Sequence, residues 1–213
     1  MKNFIKNILK KLLNINLSIE QLDQLLIWQN HNSFREPFPQ FVKEKVFQEY
    51  NLDNSIWIET GTYRGDSTAF LSTISDFVYT IEPSEKYFNL SSKNLKGIKN
   101  IQLINDISEN GIKTILDSID TRRNVCFWLD GHFSGADTFK GQEDTPVMKE
   151  LHLISNYFDK FINFRILIDD FRLFDSFYNN KKEKYPDKSE LINWVENNSL
   201  KWTISRDIFL IYN

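Results

Sequence analysis

Cysteine is almost absent from this sequence, which has a single one, Cys126, among its 213 residues. One thiol excludes an internal disulfide framework and a metal site built from several cysteines. Cys126 lies within the apolar run 125–129, and a free cysteine in such a run behaves as a small buried hydrophobe. We therefore expect a packed, chemically inert thiol.

An excess of positive charge and long apolar runs are also missing. The formal net charge is −3, so the chain lacks the basic surface that typifies nucleic-acid-binding proteins. No stretch is long enough to predict a transmembrane segment. Residues 1–14 contain lysines but no continuous apolar segment of the kind found in secretory signals. These absences predict a cytoplasmic protein without a nucleic-acid partner.

The length suits one α/β domain with a large core. We predict a helical extension over residues 1–40 and a main domain over residues 41–213. Within the extension, apolar residues recur at helical spacing between lysines over residues 4–12. This pattern favours a basic amphipathic helix packed on its own domain or on a second subunit, with binding to a membrane surface as the alternative. The N-terminal helices are thus a candidate contact for a homo-oligomer.

A second helix of the extension has a recognisable start. Ser18 and Gln21 have the spacing of a capping box, in which each side chain bonds the backbone of the other. The residues expected to be buried by this helix are Ile19, Leu22, Leu25 and Leu26.

Strands and helices alternate over the rest of the chain. The predicted strands are 55–59, 77–81, 101–104, 125–129, 164–168, 202–205 and 208–212. The predicted helices are 40–50, 67–74, one ending near 95, one ending near 119, one opening with Thr145 as its cap and Pro146 as its first residue, and 189–197. This alternation predicts a three-layer α/β/α fold around a seven-stranded, mostly parallel sheet. The last two strands are too close in sequence for a crossover helix and must be antiparallel.

An acidic residue follows, or ends, each of the five central strands. These acids are Glu59, Glu82, Asp106, Asp130 and Asp169. In open α/β sheets, ligands bind outside the carboxyl ends of the strands near the switch in strand order. The sequence therefore predicts an acidic rim at this edge, suited to a ligand with hydroxyls, an amine and a positive centre.

The turn after the first strand contains two glycines, Gly61 and Gly65. Glycine accepts backbone dihedrals that other residues avoid and lets the main chain approach a ligand closely. Glu82 ends the next strand, about twenty residues beyond the turn, where an acid typically binds ribose hydroxyls. The turn and this acid together favour a nucleoside-containing ligand.

In these features, residues 41–213 resemble the class I S-adenosylmethionine (SAM)-dependent methyltransferases, whose fold is Rossmann-like. The Glu-x-Gly-x-x-x-Gly turn corresponds to the family's first motif, Glu82 to its ribose-binding acid and Asp106 to its residue near the adenine amine. Tyr63 departs from the family, which often has a glycine there. The resemblance implies that SAM is held by Glu59, Gly61, Thr62, Tyr63, Gly65, Ser67, Glu82, Asp106 and Asp130.

Within this class the sequence is similar to the macrocin O-methyltransferase type and its catechol O-methyltransferase-like relatives. The similarity lies in the first turn, in the run 128–132 and in Ile168-Asp169-Asp170. It implies a Mg²⁺ ion held by Asp130, Asp169 and Asp170, although adjacent residues on a strand point to opposite faces. His132 replaces an aspartate of the macrocin type, and it is a candidate general base, as is Asp130.

The resemblance implies direct methyl transfer to a hydroxyl of a small molecule or sugar, in a bacterial surface glycan or a secondary metabolite. We expect residues 133–144 and 172–188 to select the acceptor, and residues 133–144 are also a candidate lid, with a static surface loop as the alternative. Two alternatives share the sequence features. One is an NAD(P)-dependent oxidoreductase, and the other is a non-catalytic binding or assembly subunit with the same fold.

Overall fold

A computed structural model describes residues 17–119, 122–131, 145–175 and 185–213. Seven strands form one sheet: β1 (Ser55–Thr60), β2 (Phe77–Ile81), β3 (Ile101–Ile104), β4 (Arg123–Leu129), β5 (Phe161–Ile168), β6 (Lys201–Ser205) and β7 (Ile208–Tyr212). Every predicted strand is present, and the bounds differ from the prediction by at most three residues.

The helices of the described residues alternate with these strands. They are α1 (Ile19–Asn32), α2 (Gln40–Tyr50), α3 (Asp66–Ile74), α4 (Glu85–Asn94), α5 (Ser108–Ser118), α6 (Val147–Ser155) and α7 (Lys188–Asn197). Short 3₁₀ turns at Phe158–Lys160 and Phe171–Leu173 flank β5. None of the helices in these ranges is long and apolar enough to cross a lipid bilayer.

The strand order is β3-β2-β1-β4-β5-β7-β6. Neighbouring strands from β3 to β5 run parallel, whereas β7 pairs antiparallel with both β5 and β6. This confirms the predicted Rossmann-like sheet with its antiparallel C-terminal pair. The order reverses between β1 and β4, so the carboxyl ends of these two strands mark the place where a ligand is expected.

Both faces of the sheet are covered by helices. Side chains alternate along β1, so that Ile58 joins the apolar cluster formed with α5, α6 and α7, and Trp57 joins the cluster formed with α2 and α3. This is the predicted three-layer arrangement, and it explains why the central strands are continuous apolar runs.

The helix α1 begins as predicted but buries less than predicted. Ser18 and Gln21 form the expected capping box, and Leu22 is buried, but Ile19 and Leu26 are exposed to 38% and 46%. Their predicted burial was wrong, and Leu25 is only half-buried. The contacts of α1 are instead partly local, because Trp28 packs against the rings of two nearby residues, Phe34 and Phe38.

The start of α6 also differs from the prediction. The helix begins at Val147, with Pro146 in the capping position and without a side-chain hydrogen bond to the first turn. Thr145 was wrongly predicted as the cap. Its hydroxyl oxygen is buried and bonds no other described residue, and Thr145 lines a pocket beside the start of α6.

Candidate active site

Gly61 lies where the ends of β1 and β4 come closest. Its φ angle is +85°, and a Cβ atom added there would lie 2.6 Å from the carbonyl oxygen of Asp130. Its amide donates to the carbonyl of Ile81 at 3.0 Å, which fixes the turn against β2. Only glycine satisfies both the dihedral and the close approach, so the turn that the sequence singled out does lie at the switch point.

Tyr63 adopts a glycine-like backbone in this turn, with φ +50°. Its amide donates to Glu82 Oε2 at 2.8 Å, and its ring lies 4.5 Å from the ring of Tyr87. The left-handed conformation costs a non-glycine residue roughly 1–2 kcal/mol, and these two contacts offset that cost. This explains how a tyrosine is accommodated in the left-handed region at this position.

Gly65 ends the turn as the capping residue of α3, with φ +88°. A Cβ there would lie 3.0 Å from the side chain of Leu95. Two further predicted cofactor residues have structural partners. The Thr62 hydroxyl lies 2.6 Å from that of Thr80, and the Ser67 hydroxyl accepts a hydrogen bond from Gln40 on α2. These bonds tie the turn to β2 and α2.

Glu59 is buried beneath the turn and is not at the rim. Its Oε2 accepts hydrogen bonds from Thr68 at 2.5 Å and Thr80 at 2.7 Å, which joins β1 to α3 and β2. Its other oxygen has no partner among the described residues. Burial raises the pKa of Glu59 to about 7, although the two hydroxyls oppose that shift. Glu59 therefore supports the turn from below.

Glu82 is held at the rim by two backbone amides. It accepts from Tyr63 N at 2.8 Å and from Ser84 N at 2.9 Å, one bond to each carboxylate oxygen. Burial raises the pKa of Glu82, and the two amide bonds oppose the shift. Each carboxylate oxygen has a second acceptor site, so this oriented carboxylate can still bind a pair of hydroxyls.

Asp106 lies after β3 and is half-buried. Its Oδ1 accepts from Ile107 N at 2.8 Å and from the Asn110 amide at 3.1 Å. These bonds fix the carboxylate at the start of α5, on the same edge of the sheet as Glu82. The rim therefore contains two oriented acids on adjacent strands.

Lys43 on α2 bonds the acid that follows β5 and lies within the electrostatic influence of the acid that follows β4. Its ammonium bonds Asp169 Oδ2 and lies 5.6 Å from the centre of the Trp128 ring. Burial would lower the pKa of Lys43, but the charges of Asp130 and Asp169 outweigh burial and raise it. Burial, and then the charge of Asp169, raise the pKa of Asp130 well above its ordinary range. Lys43 is thus a fixed cation between these carboxyl groups.

The described residues do not fit the predicted Mg²⁺ ion. Asp169 is paired with Lys43, and Asp170 bonds Arg172 at 2.6 Å, which also pairs with Asp207. The two adjacent aspartates have different partners, and no group of three acids, histidines or cysteines within the described ranges converges on one point. The metal set of Asp130, Asp169 and Asp170 is therefore not assembled, and the cation beside Asp169 is an ammonium.

Lys43 and Glu150 are the site residues that the sequence analysis missed. Lys43 is one of the two lysines of α2, and only the tertiary fold shows that it reaches the end of β5. Glu150 did have a signal, because it lies among Val147, Leu151 and Ile154 on the apolar face of α6. An acid in that position is buried, and Glu150 is 1% exposed. His132 and most of the two predicted substrate segments lie outside the described residues.

Comparisons with known proteins give no sequence relative but several structural ones. No family model matches the sequence, and no curated protein matches it. A proposed methyltransferase from Streptococcus mutans, in complex with SAH, aligns with TM-score 0.51 and 19% identity over 83% of this chain and 97% of its own. A proposed rRNA methylase from Clostridium thermocellum aligns with TM-score 0.52 and 14% identity over 80% and 93%.

A third similar structure is the complex of DhpI with SAM and HEP. It aligns with TM-score 0.50 and 10% identity over 93% of this chain and 100% of its own. At these identities the comparisons bear on the fold alone, and they agree with the Rossmann-like sheet described above. None of the three is described as a macrocin or catechol O-methyltransferase.

Proposed function

We propose that this chain is a SAM-dependent methyltransferase. The observation that carries the proposal is the pairing of the Gly61 turn with the amide-held carboxylate of Glu82, at the point where the strand order reverses. A tight turn beside an oriented acid is suited to an adenosyl group, with the ribose hydroxyls on the acid. Asp106, at the next strand end, is the proposed residue for the adenine amine, and the bonds that orient its carboxylate support that role.

The sheet itself favours SAM over a nicotinamide cofactor. Dinucleotide-binding folds commonly have the order 3-2-1-4-5-6, whereas here β7 is inserted antiparallel between β5 and β6. The solved structures that resemble the chain include complexes with SAH and SAM. The oxidoreductase alternative and the non-catalytic alternative both lack such an observation.

When bound, SAM supplies a methyl group on a positively charged sulfur. The residues around β4 and β5 then have to take the proton from the acceptor hydroxyl. Asp130 is the proposed base, because a carboxyl with a raised pKa is a stronger proton acceptor than an ordinary one. Lys43 stays protonated, neutralises Asp169 and keeps that carboxylate from competing for the proton. His132 is the second candidate base.

The proposed acceptor is a small molecule or glycan with a free hydroxyl, in keeping with the net charge of −3 and the acidic rim. We propose a cytoplasmic enzyme that forms homo-oligomers through its N-terminal helices. The exposed apolar residues Ile19, Leu26 and Ile27 of α1 support that contact.

Calorimetric titration with SAM, SAH and NAD tests the function. The proposal predicts saturable 1:1 binding of SAM and SAH and no binding of NAD. Binding of NAD alone would establish the oxidoreductase alternative, and binding of none of the three would favour the assembly subunit.

A further inference from the structure

A small pocket lies where the carboxyl ends of β4 and β5 meet the start of α6. Leu129 closes β4, Ile168 closes β5 and Val147 begins α6, and all three line it. The space inside it that the centre of a water-sized sphere can occupy is about 10 Å³, which is about what one water molecule needs. The pocket therefore has room for one polar group of that size.

Among the polar side chains of the lining, Glu150 and Thr145 have buried oxygens without hydrogen-bond partners among the described residues. These are Oε1 of Glu150 and Oγ1 of Thr145, and the residues are 1% and 8% exposed. Buried polar groups are nearly always paired, and an unpaired one costs about 1–3 kcal/mol. Both oxygens are available to a ligand that donates hydrogen bonds.

The charge of the lining is entirely acidic. Glu150 and Asp169 line the pocket, and its described lining contains no lysine, arginine or histidine. Asp169 is already paired with Lys43 from outside the lining. Glu150 has no cationic partner among the described residues, and burial raises its pKa to about 7 although the hydroxyls of Ser108 and Thr60 oppose that shift. A ligand with a positive charge would therefore balance the charge of Glu150.

We propose that this pocket binds a primary ammonium group, and that the methyl acceptor is an aminated small molecule anchored by that group. An ammonium offers three donors and no acceptor, which matches a lining that offers a carboxylate and a hydroxyl oxygen. The charge-assisted bond to Glu150 supplies most of the affinity. The apolar walls formed by Leu129, Ile168 and Phe174 suit the carbon that carries the amine.

The identification of the ligand as the acceptor rests on the proposed methyltransferase function, whereas the binding of an ammonium does not.

The binding must depend on pH, because only the ionised form of Glu150 attracts the cation. With a pKa of about 7, the ionised fraction is about ten times larger at pH 8 than at pH 6. The affinity for the cation should therefore fall about tenfold when the pH is lowered from 8 to 6.

The test uses methylammonium as the probe and methanol as its uncharged counterpart. Amide chemical shifts of Gly131 and Val147 are followed in the full chain at pH 8 and pH 6. We expect saturable shifts with methylammonium, about tenfold weaker binding at pH 6, and no saturation with methanol. The Glu150→Gln variant should lose the binding.

Two variants keep the test decisive. Glu109→Gln removes a nearby carboxylate that does not line the pocket, and its affinity should remain within about twofold of the wild type. Thr145→Val removes the second oxygen, keeps the shape and should weaken binding at least threefold, which covers the case in which Glu150→Gln does not fold. Equal binding of methanol, unchanged affinity in both Glu150→Gln and Thr145→Val, or no binding of methylammonium would overturn the proposal.

Titration of the same samples with SAM separates the two claims. Methylammonium binding without SAM binding would leave the ammonium pocket standing and remove the methyltransferase function. SAM binding without methylammonium binding would remove the pocket alone.

Discussion

At the scale of the residue, backbone conformation explains the turn that approaches the ligand site. Gly61 and Gly97 both have left-handed φ angles, +85° and +95°, but only Gly61 lies against other atoms. Substituting each glycine in turn therefore separates the free-energy cost of the left-handed dihedral from the cost of the close approach between β1 and β4.

Gly61→Ala should lower the free energy of unfolding by at least about 2 kcal/mol more than Gly97→Ala does. Both variants place an alanine at positive φ, but only the first adds a Cβ 2.6 Å from Asp130 O. Urea unfolding of the two variants and the wild type measures the difference. Equal losses would contradict the close approach.

The buried carboxyl of Glu59 makes stability depend on pH. Burial raises its pKa in the folded state to about 7, above the usual value of the unfolded chain. The folded state therefore holds the proton more tightly, and the stability that this protonation gives is lost as the pH rises through 7.

Glu59→Gln mimics the protonated form at every pH. Relative to the wild type, its free energy of unfolding should rise by up to about 3 kcal/mol between pH 5 and pH 8. Urea unfolding at the two pH values measures this, with the exposed Glu85→Gln as the control that should show no such trend. A difference between Glu59→Gln and wild type that is the same at pH 5 and pH 8 would contradict the burial of an ionisable Glu59.

At the scale of the element, α2 places a cation between the ends of β4 and β5. Lys43 is half-buried and Asp169 is almost fully buried, so the ion pair is poorly screened by water. Removing one partner leaves a buried charge without compensation.

Lys43→Met should lower the free energy of unfolding by about 3 kcal/mol, and adding Asp169→Asn should restore much of the loss. Lys43→Met also leaves the carboxyl groups of Asp130 and Asp169 without the ammonium that lies beside them in the wild type. Millimolar Mg²⁺ should therefore raise the Tm of this variant and leave the wild-type Tm unchanged. Thermal unfolding with and without Mg²⁺ measures both effects. A Mg²⁺-dependent rise in the wild-type Tm would show that Lys43 does not take the place of the metal.

The elements could be predicted from the sequence more fully than the site. Apolar runs and helical spacing set the strands and most helix bounds, because burial on a covered sheet and on a helix face leaves a periodic pattern. The start of α6 was missed because Thr145 has the residue type and position of a cap, whereas the helix begins one residue later without a side-chain cap bond. Lys43 could not be predicted, since its partner Asp169 lies 126 residues away.

At the scale of the whole molecule, the sheet order gathers the acids at one edge but gives them different tasks. Glu59 supports the turn, Glu82 and Asp106 are held at the rim by hydrogen bonds, and Asp169 pairs with Lys43. The sequence predicted that these residues would share an edge. It did not reveal their partners, because local patterns carry no information on which helix packs over which strand.

The proposed function depends most on Glu82, which is the proposed acid for the ribose of SAM. Calorimetry with SAM should show 1:1 binding by the wild type and by Glu85→Ala, and at least tenfold weaker binding by Glu82→Ala, because a charge-assisted hydrogen bond contributes about 1.5–3 kcal/mol. Equal affinity of Glu82→Ala and wild type, or no binding of SAM by the wild type, would contradict the account.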